Sequence, residues 1–256
     1  MSIELFREAY DLITKSTLTI LQPDGGTRVD KMRGGMFSMP MMAHSYLHSD
    51  DDSLRGSDEL LDAIVRMGDF NARGFDAGKG FGGDPGLGIS SGWDEWRAIA
   101  WLEAAEALGD RIDADRKAMW MTAHHAFGEH ILSHCQDMDT FDGQIPNHGI
   151  WNHVYFWRVG QLLNEPRFKE MTTLSMGRIV AGQTADGCWR EGQTTALFAG
   201  TPVTNYNTVS ALAVNLYAEW SGDPAAFEAM DRSWRWFYDY LLPDYSTPPN
   251  FSMRQP

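Results

Sequence analysis

Along the chain, apolar residues return every three or four positions, the period of a helix with one face turned inward, and the runs are cut by Gly, Asn, Asp and Pro. Leu5, Phe6, Tyr10, Leu12, Ile13 and Leu18 predict a first helix over 3–21, stopped by Pro23-Asp24-Gly25-Gly26. A Met-rich stretch over 36–47 predicts a second, ending before Asp50-Asp51-Asp52, and 57–71 a third, followed by a Gly-rich loop over 74–88. No run with a strand period competes with these. The acidic triplet reads as a solvated turn between helices rather than a metal or diphosphate site.

Three later places look alike. Helices end at Leu108, Leu163 and Trp220 and turn at Gly109-Asp110, Asn164-Glu165 and Gly222-Asp223, spaced 55 and 58 residues apart. Gly or Asn followed by an acid fits a left-handed helix C-cap that leads into the acidic first turn of the next helix. A second amphipathic segment follows each turn, over 116–134, 167–181 and 225–242. A repeat of this length is a helical hairpin plus a loop, and stacked hairpins bury the face that one hairpin leaves open. The prediction is an all-α protein, an α/α toroid (an incomplete or open barrel) of about four hairpins. The first helix of each hairpin lines the inside and the second the outer ring. Residues 1–256 form a single domain in this reading, with a Pro-rich C-terminal tail over 243–256.

Counting back 16 positions from Gly109, Asn164 and Gly222 lands on Trp93, His148 and Tyr206, each at the start of an inner helix. At 1.5 Å per residue these lie about 24 Å from the turns, at one end of the barrel. Asp94, Trp96, Arg97, Asn147, Trp151, Asn152, Asn205 and Asn207 share that rim. The junction Gln144-Ile145-Pro146-Asn147-His148 reads as a helix start, with amide, imidazole and, at Trp151, indole groups beside unpaired backbone N–H groups. The loop 186–204 is long for a connection between packed helices, and it is expected to cover the cleft and bring Arg190 or Glu191 toward Tyr206. A plain turn at Asp186-Gly187 with Trp189 packed against the helices is the other reading of its beginning.

Asn147-His148, the string Gln183-x-x-Asp186-Gly187-x-Trp189-x-Glu191-Gly192, and Tyr206 ahead of an Ala/Leu-rich helix resemble the α/α-toroid polysaccharide lyases, the heparinase II/III and alginate lyase group. The resemblance covers roughly 93–223; the stretch from Glu191 to Tyr206 is longer than in that group, and no Arg stands immediately before the Tyr. It implies β-elimination on a uronic-acid-containing polysaccharide or oligosaccharide, without a cofactor. Asn147 would neutralise the uronate carboxylate, and His148 or Tyr206 would move the protons. Arg190 or Arg97 would supply the cation that a phenolate needs. Trp93, Trp96, Trp151 and Trp189 would offer flat faces to sugar rings, with Glu191 and Asn205 beside them.

Composition narrows the partners. At 256 residues with 43% hydrophobic content the chain can bury a substantial core, and a formal net charge of −14 argues against nucleic acid and anionic membrane as partners. Cys135 and Cys188 give neither a disulfide framework nor a zinc pattern, and His130 and His134, one helical turn apart with His124 and His125 before them, have no identifiable third ligand for a metal. The N-terminus shows no secretory signal or span, so a cytoplasmic location follows if this start is native. Two alternatives stay open. Asp137-Met138-Asp139-Thr140 with the Gln183/Trp189 spacing points to a terpenoid-cyclase-like toroid, and the third reading is a non-catalytic toroid that binds carbohydrate or protein.

Overall fold

The computed structural model describes residues 3–27, 35–76, 80–81, 94–134, 147–189 and 204–240. Among these, nine α-helices follow one another: α1 (Ile3–Ile20), α2 (Gly35–His48), α3 (Asp58–Gly74), α4 (Asp94–Leu108), α5 (Ala114–His134), α6 (Asn147–Leu162), α7 (Pro166–Ala181), α8 (Thr204–Ser221) and α9 (Pro224–Tyr240). The remaining regular structure among them is a 3-10 turn at Gly109–Arg111 and a two-residue antiparallel ribbon, Phe75–Asp76 with Gly80–Phe81.

The hairpin turns have the cause that the sequence suggests. Gly109, Asn164 and Gly222 have φ of 55°, 52° and 73°, the left-handed region where glycine and asparagine end helices. After α6 the chain closes with Glu165 N–H donating to Gly160 O at 3.0 Å, and after α8 Gly222 N–H donates to Ala218 O at 2.8 Å. Helices α1, α3 and α9 keep their apolar side chains to one stripe, as helices that pack through one face do.

The chain gathers into two compact units, Met1–His130 and Ile131–Pro256. In the first, α2 packs against α1, α3 and α4. Asp11 of α1 accepts hydrogen bonds from Ser45 and Ser49, each at 2.7 Å, so a carboxylate ties the outer helix to the end of α2. Asp69 of α3 accepts from the Trp120 indole N–H at 2.9 Å and pairs with Arg116 at 3.0 Å, which fixes α5. Trp101 and Trp120 are fully buried with ring centroids 5.7 Å apart. Each large aromatic side chain so buried contributes about 2–3 kcal/mol. The Asp50–Asp52 turn is held by ion pairs, Asp51 with Lys15 at 2.6 Å and Asp52 with Arg55 at 2.9 Å. Among the described residues no group of three metal-ligating side chains occurs.

In the second unit α6 packs on α7 and α8, and α9 on α7 and α8. Phe156 meets Phe168 at 5.3 Å, and Thr172 donates to the His153 carbonyl at 3.0 Å. The turn after α7 is a brace. Gln183 Nε2 donates to Gly187 O and to Ala229 O of α9 at 3.0 and 2.8 Å, while Arg232 Nε donates to Gln183 Oε1 at 2.8 Å. Gly187, at φ 97°, lies so close to α9 that a Cβ would stand 2.2 Å from Arg232 O. The turn after α1 repeats this device: Gly25, at φ 96°, would place a Cβ 2.1 Å from Arg66 O on α3.

Candidate functional site

In the second unit the two helices that begin with expected site segments, α6 and α8, pack on each other. Gln161, near the end of α6, donates to Trp220 O near the end of α8 at 3.1 Å, and Arg158 lies 5.1 Å from the Trp220 ring. Trp157 meets Tyr217 edge-on at 5.3 Å. Partners offset by about 60 residues along both helices mean that α6 and α8 run side by side in the same direction. Asn147 and His148 stand in the first turn of α6, and Asn205 and Tyr206 in the first turn of α8. Adjacent helix N-termini present unpaired N–H groups and the positive ends of two helix dipoles, an arrangement that favours an anion such as a carboxylate. The side chains of Asn147, His148, Asn205 and Tyr206 lie outside the described set, as do Trp93, Arg190 and Glu191. So does most of the 186–204 loop expected to cover the cleft, along with the Asp137–Thr140 motif and the 243–256 tail.

The described part of that loop reaches α8. Trp189 N–H donates to Asn207 Oδ1 at 2.9 Å, which latches the Asp186-Gly187 turn onto the first turn of α8. Asn207 is fully buried, and its Nδ2 has no hydrogen-bond partner. From the sequence Asn207 is only a rim neighbour; the Gln183/Gly187/Trp189 spacing is the signal that a latch stands here. Trp189 itself is 1% exposed and its indole N–H donates to Ile179 O at 3.0 Å, so its ring belongs to the packing. Trp151, 8% exposed, is likewise enclosed. Stacking a sugar on either ring needs a free face that neither has as the helices stand.

Trp96 and Arg97 belong to the first unit, on α4. Trp96 is half-buried, and Arg97 is only 4% exposed. A guanidinium at that depth is retained only with partners that satisfy its charge. Two histidines are held neutral by burial. His124, against the Trp101 ring at 4.1 Å, is pushed down to about 3, and His153, beside Phe156, to about 4. Burial drives the Tyr155 phenol well above its ordinary value, which removes it as a proton carrier near neutrality.

No protein-family model and no curated protein sequence matches the chain. Its backbone is similar to a solved structure of chondroitinase AC lyase, described in complexes with oligosaccharides, at a TM-score of 0.56 and 12% identity over 90% of this chain. The fold is the α/α toroid. The likeness carries the fold and no residue-level role, and the chain spans one third of that enzyme's length, 33%. No helix among the described residues is long and apolar enough to cross a membrane.

Proposed function

We propose that this toroid cleaves a uronic-acid-containing polysaccharide or oligosaccharide by β-elimination. What supports the reading is the side-by-side packing of α6 and α8, whose first turns carry Asn147-His148 and Tyr206, in a fold similar to that of a lyase solved with oligosaccharides. The chemistry asks for little else. A base takes the proton from C5, the C5–H electrons form the C4–C5 double bond, the C4–O bond breaks, and the departing oxygen takes up a proton. The C5 proton is only weakly acidic until the neighbouring carboxylate is neutralised. Asn147, helped by the helix dipoles, would stabilise the charge that develops on that carboxylate. An imidazole ordinarily exchanges protons near neutral pH, which suits His148 to the part of base, and Tyr206 suits the acid that protonates the leaving oxygen. Arg190 would lower the tyrosine pKa if the phenolate were the base instead, and Glu191 and Asn205 would hold flanking sugars.

The test is turnover on a panel of polyuronates, followed by the ultraviolet absorbance of the unsaturated product. Tyr206→Phe keeps the ring and removes the hydroxyl. Turnover should drop about 10²–10⁴-fold with the melting temperature unchanged. Asn147→Ala should also depress kcat, because it removes stabilisation that grows in the transition state. Absence of unsaturated product from every polyuronate overturns the reading, and full activity in Tyr206→Phe removes the tyrosine from the proton transfers.

A further inference from the structure

The outer helix α9 buries Ala226, Ala229, Met230, Ser233 and Trp236 against the second unit, as an amphipathic helix should. It also leaves a second face bare. Phe227, Trp234 and Tyr238 are 46%, 53% and 74% exposed, whereas the exposed face of α1 at the other end of the chain is mainly aliphatic, with Leu5 and Leu12. At 100° per residue the three rings fall within a stripe about 40° wide, and at 1.5 Å per residue they stand about 10 Å and 6 Å apart along the axis.

From this stripe we infer a second glycan-holding surface, in which α9 seats an extended, uncharged glycan on Phe227, Trp234 and Tyr238. One sugar of an extended chain advances about as far as one helical turn. Rings two turns and then one turn apart therefore meet the first, third and fourth of successive sugars, whose apolar C–H faces stack on flat aromatic surfaces. Beside Trp234 the exposed Arg235 and Asp231 pair at 3.2 Å, so the flank offers donors and acceptors to hydroxyl groups with no net charge. A polyanion gains nothing there, and the chain's net charge of −14 opposes it. A protein partner fits less well. Three partly exposed aromatic rings offer roughly 300–400 Å², well under the ~800 Å² per side of a stable protein interface.

Native gels cast with hydroxyethyl cellulose or soluble mixed-linkage β-glucan test the assignment, with turnover on polyuronates measured in parallel on the same preparations. The wild type should be retarded by a neutral glycan. Trp234→Ala and Tyr238→Ala should each weaken retention about tenfold, the loss of one stacked ring, with melting temperature and any polyuronate turnover unchanged. Tyr238, the most exposed of the three, guards against a folding artefact at Trp234. The inference is overturned by a lack of retardation in either neutral gel, or by retardation equal in the variants and the wild type. It is also overturned by a dimer in sedimentation that Trp234→Ala dissolves. Because the neutral glycans are not substrates for elimination, failure here leaves the lyase reading intact, and inactivity on polyuronates leaves this one intact.

Discussion

His153 is 1% exposed, and neither ring nitrogen has a hydrogen-bond partner. It is tolerated because it is neutral, since a buried imidazolium without a counter-charge would be far more costly. The sign of its pH effect follows. Burial lowers the folded pKa from the ordinary 6.5 to about 4, so between those values the unfolded chain binds more protons than the folded one. Stability that is fully present above pH ~6.5 is lost as the pH falls to ~4, by roughly 3 kcal/mol at 1.36 kcal/mol per unit. Denaturant midpoints measured across that range should show the loss. His153→Leu, which removes the two unsatisfied nitrogens, should keep the stability at pH 7 and remove about half of the acid loss, the rest belonging to His124, which burial holds down to about 3; an unchanged acid limb in the variant would show that His153 is not among the titrating groups. The same scale explains the tryptophans. Trp151→Ala would vacate a buried indole site and lower stability by about 3–5 kcal/mol, so its effect on sugar binding cannot be read without the melting temperature.

At the scale of elements, two kinds of left-handed glycine separate. Gly222 ends α8 with open space where a Cβ would point, whereas Gly187 lies against the α9 backbone. Gly222→Ala should therefore cost only the backbone strain, about 1 kcal/mol. Gly187→Ala adds a collision with Arg232 O that no side-chain rotation relieves, about 3 kcal/mol in all. Urea midpoints order the two, and near-equal losses would mean that α9 gives way easily. These turns also show what was legible in the chain. The C-caps at Gly109, Asn164 and Gly222 are local events that glycine or asparagine plus an acid encodes within a few residues, so hairpins and helix ends could be read directly. The expected helix over 3–21 is α1, Ile3–Ile20, and that over 57–71 is α3, Asp58–Gly74. Gln183 bonds to Ala229, 46 residues away, and Asn207 to Trp189, 18 residues away. Such partners depend on how helices pack, which the hydrophobic period does not specify. The same limit applied to Trp151 and Trp189, because an indole near a helix mouth has one sequence signature whether it faces a ligand or a neighbouring helix.

For the whole molecule the deciding quantity is charge. A chain at −14 that acts on a polyuronate must draw one polyanion to another, and in the proposed site the local field of the α6 and α8 N-termini with Arg190 opposes that repulsion. The two contributions respond differently to salt. Repulsion summed over the surface acts across tens of ångströms and is damped as the screening length shrinks from about 30 Å at 0.01 M to about 8 Å at 0.15 M, whereas contacts at hydrogen-bond range inside a cleft are screened much less. Added salt should therefore lower KM for a polyuronate by about two- to threefold over that interval. The value of kcat should hold, since the reacting groups already touch the substrate. A nucleic-acid-type cationic surface gives the opposite trend, with binding falling steeply as salt rises. Initial rates at fixed pH across the interval decide between them. A KM that climbs with salt would mean that a cationic patch, rather than the short-range grip of the helix starts, captures the substrate, and the mutational search would then move from Asn147 and Tyr206 to the arginines.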